Sequence, residues 1–300
     1  LFPRFFSFSF LAAAGWAVAY LLPGWATGAA IRLPLPEGFW PKAGVVAGAI
    51  AVMIGLSVTS SLRRHRKATM LIAGLSFLIL AGLFIGYPHL TALDQGVMTL
   101  VQEHRSPMLD EVAVVFTLMG EFRNMLVFST LLTALLLLTR QWRQAIFAGS
   151  TLLFTALGNT FTKQLFARVR PEVLSDPLTS YSMPSGHASG SFALFLTLAV
   201  LAGRGQPPRM RLTWLLVGCI PALAITLSRV YLGAHWPTDV LAGAMLAACV
   251  CAASLWLCQR QAPLNAMPFK VWWLVLPALL AMFGLFALRH LPHMMLRYAY

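Results

Sequence analysis

The run VLAGAMLAACVCAASLWLC occupies residues 240–258 and contains no charged side chain. A helix needs about 20 mainly apolar residues to cross roughly 30 Å of hydrocarbon, and this run has that length. Similar apolar runs recur near residues 5–22, 43–61, 68–86, 122–139, 145–162, 186–203, 212–228 and 271–288. The short alternating segments of a membrane β-barrel do not occur. We therefore predict an all-α, polytopic membrane helix bundle with about nine spans.

The composition supports a bilayer environment. Hydrophobic residues make up 59% of the chain, charged residues 10%, and the mean hydropathy is +0.75; soluble domains carry about 25% charged residues. The net charge of +13 is attributed mainly to the positive-inside rule, with anionic headgroups as further partners. No segment resembles a nucleic-acid-binding module. The four cysteines all lie in apolar runs, where we expect packing rather than disulfides or metal binding.

The basic residues predict an orientation. Clusters occur at residues 63–67, at Arg140 and Arg143, between residues 204 and 211, and at Arg260 and Lys270. Counted over alternate crossings, they share one face with Arg4, and this face is predicted to be cytoplasmic. The opposite face then holds segments 23–42, 87–121, 163–185 and 229–239 and the C-terminus.

The segment 87–121 is not a predicted span. Its apolar residues recur at helical spacing between Asp94, Gln102, Glu103 and Arg105. Two interpretations are open: a helix along the outer interface of the membrane, or a loop packed on the bundle.

Three separated segments bring polar side chains to helix ends on the predicted outer face: KQLFARVRP at 163–171, PSGH at 184–187 and SRVYLGAHWPTD at 228–239. Ionisable groups near a bilayer are costly, so a cluster of them indicates a functional site. Singly, each motif is weak, because basic residues at helix ends usually reach to the membrane surface as anchors. The three in this order on one face are specific.

The residue types suit phosphoryl transfer. Lys163 supplies a compact positive charge, and Arg170 and Arg229 offer planar forks that match phosphate oxygens. Ser185 and Gly186 precede a predicted helix, so their backbone N–H groups are expected to face an anion. The predicted phosphate-binding set is therefore Lys163, Arg170, Ser185, Gly186 and Arg229.

Two histidines and one carboxylate complete the predicted catalytic set. His235 and Asp239 are four residues apart, the spacing at which helical side chains meet. An aspartate that holds one ring nitrogen leaves the other free to attack phosphorus. His187, beside the anion site, is placed to protonate the leaving oxygen.

The pattern K-x6-RP, PSGH and SR-x5-H-x3-D resembles that of the type 2 phosphatidic acid phosphatase superfamily, over roughly residues 68–260. The resemblance implies a phosphatase that needs no metal or cofactor and forms a phosphohistidine. By this resemblance His235 is the nucleophile, Asp239 its partner and His187 the acid. Soluble haloperoxidases share the motifs with vanadate in place of phosphate, but about nine membrane spans argue against that branch.

Residues 4–28 are similar to the closing helix of DedA-family membrane proteins. With Leu1 in place of a starting Met, this suggests a bacterial fusion whose DedA half is largely absent; the alternative is an ordinary extra span. The expected domains are 1–67 for the N-terminal spans, 68–260 for the phosphatase core and 261–300 for a C-terminal span.

The resemblance also implies a substrate class and a location. We expect a phosphatase of the bacterial inner membrane whose site faces the periplasm or the outside. The first choice of substrate is undecaprenyl pyrophosphate; phosphatidylglycerophosphate, phosphatidic acid and lipid A phosphates are alternatives. A lipid phosphotransferase and a non-enzymatic transporter or scaffold are the competing classes.

Overall fold

The computed structural model of the chain describes residues 24, 28, 32–63, 67–173 and 180–297, and every regular element within them is a helix. A 3₁₀ turn, Tyr87–Leu90, joins α2 to α3. The helices are α1 (Phe39–Leu62), α2 (Ala68–Gly86), α3 (Thr91–Glu103), α4 (Pro107–Met119), α5 (Phe122–Leu138), α6 (Trp142–Phe166), α7 (Gly186–Gly203), α8 (Pro208–Tyr231), α9 (Pro237–Cys258) and α10 (Phe269–Arg297).

The helices confirm the predicted all-α membrane bundle. Among the described residues, seven helical segments are long and apolar enough to cross a membrane, and α4 with α5 forms an eighth candidate that is bent by 46°. The predicted spans from 43–61 to 271–288 each fall on one of these elements. The first predicted span, 5–22, and most of the DedA-like stretch lie outside the described residues. The division into domains stays a prediction.

The bundle is built around α9. This helix packs against α2, α6 and α7, and α7 in turn packs against α8. The approach of α9 to α7 is close at Gly243, where a Cβ atom would lie 2.6 Å from the carbonyl oxygen of Ser185. Peripheral helices instead turn large apolar side chains outward, such as Val45 on α1 and Ile85 on α2, as expected for a surface in lipid.

The segment 87–121 is helical and packs on the bundle. Ser106 caps α4 by accepting a hydrogen bond from the Leu109 N–H at 3.4 Å. Gln102 of α3 donates to the carbonyl of Tyr231 at 3.1 Å. The interpretation of 87–121 as a loop is therefore wrong, because α3 and α4 lie within it. The packing on the bundle that this interpretation included is found. A position along the lipid interface stays a prediction.

Candidate active site

The three predicted segments meet at one cavity of about 700 Å³. They are the end of α6 with the loop behind it, the loop that enters α7, and the turn from α8 to α9. The cavity is lined by six of the eight predicted site residues: Lys163, Arg170, Gly186, His187, Arg229 and His235.

The end of α6 directs Lys163 toward the cavity. The helix stops at Ala167, which adopts a left-handed φ of 43° and donates its N–H to the carbonyl of Lys163 at 3.0 Å. The Lys163 ammonium donates to the carbonyl of Tyr181 at 2.5 Å. This contact joins the end of α6 to the loop that enters α7.

Ser185 differs from the sequence-based expectation. Its backbone N–H donates to the Asp239 carbonyl at 3.0 Å and its hydroxyl accepts from the Ala188 N–H at 3.4 Å. The residue is fully buried and does not line the cavity. Ser185 therefore fastens the start of α7 to α9, whereas Gly186 is the member of the pair at the cavity wall.

The turn before α9 places the histidine and the aspartate. Gly233 has a φ of 71°, and a Cβ there would lie 2.7 Å from Val173, so the turn requires glycine. Asp239 accepts the Trp236 N–H at 2.9 Å, which caps the start of α9. The His235 Nδ1 lies 3.5 Å from the Asp239 Oδ2, an ion-pair contact longer than a good hydrogen bond.

The surroundings of His235 define its tautomer. The guanidinium Nη1 of Arg170 lies 3.0 Å from the His235 Nε2. An arginine only donates hydrogen bonds, so Nε2 is the acceptor and the proton is assigned to Nδ1, which faces Asp239. The lone pair of Nε2 thus faces Arg170, and both residues line the cavity.

Burial keeps His235 neutral. The ring is 1% exposed, and desolvation lowers its pKa well below the usual 6.5. The positive charges of Arg170, Arg229 and Lys163 lower the pKa further. A neutral imidazole is the form with a free lone pair for attack.

Two guanidinium groups form the cationic wall. Arg170 donates to the carbonyls of Ser180 and Ala234, each at 2.6 Å, so its fork is held in place. Arg229 is 1% exposed and donates to the hydroxyl of Thr117 at 3.1 Å. A buried cation such as Arg229 at a cavity wall favours an anion, because desolvation is costly without a counter-charge.

The structure adds Arg168 and Asp94, which the motif reasoning did not assign to the site. Arg168 donates to Asp239 at 2.7 Å and to Asp94 at 2.6 Å. Asp94 is 1% exposed on α3. An ionisable residue near a bilayer is a signal of function, and Asp94 offered that signal in the sequence, although not its pairing with Arg168.

The cavity continues from the polar cluster along apolar walls. On α5 it is lined from Phe122 to Leu137, a rise of about 22 Å at the α-helical spacing. Leu152 and Leu153 of α6 form part of the opposite wall. The cavity therefore has a cationic head next to His235 and a long apolar groove between α5, α6 and α7, a shape that fits a phosphate carried on a lipid tail.

The fold and this cavity define the class of protein: a multi-pass membrane protein with a pocket lined by basic residues and histidines. Residues 143–263 match the family model of the PAP2 superfamily. The chain thus carries a PAP2 superfamily domain, which confirms the resemblance drawn from the motifs.

The proteins to which the chain is similar in sequence are phosphatases by name. The chain is 37% identical over 130 residues to the undecaprenyl-diphosphatase of Sulfolobus acidocaldarius, a match that covers 38% of this chain and 55% of that protein. The chain thus spans little more than half the length of this relative. It is 29% identical over 175 residues to phosphatidylglycerophosphatase B of Bacillus subtilis, covering 56% of this chain and 84% of that protein.

A further match is 31% identical over 105 residues to the lipid A 1-phosphatase of Rhizobium etli, covering 31% of this chain and 41% of that protein. Among solved structures, the fold is similar to a transmembrane PAP2-type phosphatidylglycerolphosphate phosphatase of Bacillus subtilis. That likeness has a TM-score of 0.53 and 24% identity and covers 61% of this chain and 93% of the other. It supports the helical fold.

Proposed function

We propose that this chain is a membrane lipid phosphatase that acts through a phosphohistidine at His235. The observation that carries the proposal is a single cavity that has basic side chains beside the His235 Nε2 and continues as an apolar groove. The three named relatives support it, because the name of each describes the removal of phosphate from a lipid.

In the first step, Arg170 gives up its hydrogen bond to Nε2 and donates to a phosphate oxygen instead. The Nε2 lone pair of His235 then forms a bond to phosphorus as the bond to the leaving oxygen breaks. His187 gives its proton to that oxygen, so the lipid leaves as a neutral hydroxyl or as a monophosphate. Lys163, Arg170 and Arg229 hold the phosphate oxygens while their charge grows. Asp239 faces the Nδ1–H of the ring, which is positive once Nε2 is phosphorylated.

In the second step, water attacks the phosphohistidine. His187, now neutral, takes a proton from that water, the phosphorus–nitrogen bond breaks, and inorganic phosphate leaves. His235 returns to its neutral form and His187 to its protonated form, so the cycle closes. The scheme uses only residues of this chain and no metal or cofactor.

Undecaprenyl pyrophosphate is the proposed substrate, with undecaprenyl phosphate and inorganic phosphate as products. A groove of about 22 Å along α5 fits a long tail. Phosphatidylglycerophosphate, phosphatidic acid and lipid A phosphates are the competing substrates. We place the site on the outer face of a bacterial inner membrane, because the basic loops lie at the opposite helix ends.

The deciding experiment is a panel of these lipids with purified protein, with and without EDTA. We expect the highest kcat/KM for undecaprenyl pyrophosphate and full activity in EDTA. His235→Ala should lower kcat on the order of 10⁴-fold or more, as loss of a nucleophile does. Hydrolysis that survives in His235→Ala would remove His235 from its role.

Two further measurements separate the competing classes. Rapid quenching with radiolabelled substrate should trap an acid-labile phosphoenzyme in the wild type and none in His235→Ala. Label recovered on a second lipid instead of as inorganic phosphate would indicate a phosphotransferase. A transporter or scaffold predicts no turnover for any lipid in the panel.

A further inference from the structure

Arg168 links two buried carboxylates that come from distant parts of the chain. Its Nη1 donates to the Asp239 Oδ1 at 2.7 Å and to the Thr238 hydroxyl at 2.7 Å, while its Nη2 donates to the Asp94 Oδ2 at 2.6 Å. The guanidinium carbon lies 4.9 Å from the ring centre of Tyr87 and 5.7 Å from that of Trp236. Arg168 is thus held both by its hydrogen bonds and between two rings.

Asp94 is held as firmly as Arg168. Its Oδ1 accepts the backbone N–H of Thr238 at 2.9 Å, and its Oδ2 accepts the Thr238 hydroxyl at 2.7 Å. The Thr238 N–H belongs to the first turn of α9, whose N–H groups have no partner within the helix. Asp94 therefore anchors α3 to the helix that carries Asp239. Its acceptor-only contacts are those of an ionised carboxylate.

The charges of this cluster do not cancel. Asp94 and Asp239 contribute two negative charges against the single positive charge of Arg168, and the three side chains are 1%, 0% and 9% exposed. A buried net charge is costly unless a further partner balances it. His235, whose Nδ1 lies 3.5 Å from Asp239, becomes positive when its Nε2 carries phosphate. The positive ring then lies next to the negative charge of Asp239.

We propose that Arg168 and Asp94 are positioning residues for phosphoryl transfer, acting on His235 through Asp239. Arg168 fixes the Asp239 Oδ1, so that the Oδ2 is turned to the His235 Nδ1. Asp94 balances the positive charge of Arg168, so that the negative charge of Asp239 stays available to the ring. The proposal rests on the proposed function, because it takes His235 as the nucleophile.

The kinetic test compares Asp94→Asn, Arg168→Gln and Arg168→Lys in the full chain. Asp94→Asn keeps the shape of the side chain and removes its charge. We expect kcat to fall roughly 10- to 100-fold in Asp94→Asn and in Arg168→Gln, the range for residues that orient a catalytic group. KM should stay within about threefold, because neither side chain lines the cavity. Arg168→Lys should recover part of kcat.

The matched control is Arg105→Gln. Arg105 is likewise a buried arginine in an ion pair, 2.9 Å from Asp110 and with its side chain 8% exposed. It does not line the cavity, so kcat should be unchanged within about twofold, a difference of roughly 0.4 kcal/mol in the barrier. Thermal unfolding of all variants shows whether a loss of activity only follows a loss of stability.

A measurement without substrate separates this proposal from the proposed function. The ¹⁵N chemical shifts of histidine-labelled protein, assigned with His235→Ala, report the tautomer of His235. The wild type should show a proton on Nδ1, where the Arg170 donation to Nε2 keeps it. Arg168→Gln should shift the Nδ1 resonance, because Asp239 is no longer fixed against the Nδ1–H. If no lipid of the panel is hydrolysed but the Nδ1 resonance shifts in this way, the proposed function fails and the positioning stands.

The opposite outcome overturns the positioning. It fails if Asp94→Asn and Arg168→Gln keep kcat within about twofold of the wild type while His235→Ala is inactive. It fails equally if the variants lose activity only in proportion to a lower melting temperature, or if the Nδ1 resonance in Arg168→Gln is that of the wild type.

Discussion

At the scale of single residues, the proposed chemistry depends on a buried histidine whose pKa is lowered. Burial, then the charges of Arg170, Arg229 and Lys163, lower the pKa of His235 well below 6.5. The ring must be neutral to attack, and it is neutral above its pKa. We therefore expect the acid limb of the kcat/KM profile to lie well below pH 6.5 in the free enzyme. A limb at or above pH 6.5 would contradict this environment.

Arg170 allows the cause of that lowered pKa to be tested. Its guanidinium is the second-largest cause after burial. Removing the charge in Arg170→Gln should raise the pKa of His235, so the acid limb should move to higher pH, toward 6.5. Arg170→Lys keeps the charge and should leave the limb near its wild-type position, although both variants lose phosphate contacts. All profiles use the same substrate, so the ionisation of that substrate affects each of them equally. An acid limb that does not move in Arg170→Gln would assign the lowered pKa of His235 to burial alone.

Residues within the motifs were predictable, because short spacings determine which side chains lie at one helix end. His235 and Asp239 are four apart and do meet. Arg168 and Asp94 are 74 residues apart, and no local pattern predicts such a pair. The hydrogen bond from the Ser185 N–H to the Asp239 carbonyl could not be predicted from the sequence either, because it depends on how closely α7 and α9 approach.

At the scale of elements, the contact between α7 and α9 is expected to tolerate no added atom. Gly243→Ala places a Cβ 2.6 Å from the Ser185 carbonyl and 3.0 Å from the Ala188 Cβ. Overpacking of this kind costs about 1–3 kcal/mol, so the melting temperature in detergent should fall. Gly82→Ala on α2 is the control, because a Cβ there meets nothing within 4 Å. Equal melting temperatures for the two variants would contradict the close approach.

The groove along α5 makes a prediction about tails. Thr133 lines the groove, and Thr133→Trp should fill its deeper part. KM for a long-tailed lipid phosphate should rise, while kcat/KM for a short-chain soluble phosphate ester should be unchanged. Leu138→Trp is the control, because Leu138 is 78% exposed and does not line the cavity. Equal effects on long and short substrates would show that this part of the groove holds no tail.

Helix boundaries were predictable where apolar runs were long, and less so where they were broken. The runs at 186–203 and 68–86 match α7 and α2. Segment 87–121 contains two helices of 13 residues each, where the sequence had left either one helix or a loop open. Its polar residues suggested a solvent-exposed face, whereas Asp94 and Gln102 contact partners within the bundle. The polarity of a residue does not reveal which surface it meets.

At the scale of the whole molecule, the proposed orientation can be measured. In a variant without the four native cysteines, Glu172→Cys lies at the end that carries the site and Arg260→Cys at the opposite end, and both positions are exposed. A maleimide that cannot cross membranes should label Glu172→Cys in intact spheroplasts and label Arg260→Cys only after lysis. The reverse pattern would place the site in the cytoplasm.

The hydrogen bond from the Ser185 N–H to the Asp239 carbonyl has a consequence for how such proteins diversify. It joins the loop before His187 to the helix behind His235, so the link between the two histidine segments does not run through α5. Substitutions along α5 are therefore expected to change the groove without moving the two histidine segments. We accordingly expect α5 to vary among related proteins more than the loop before α7 and the turn before α9.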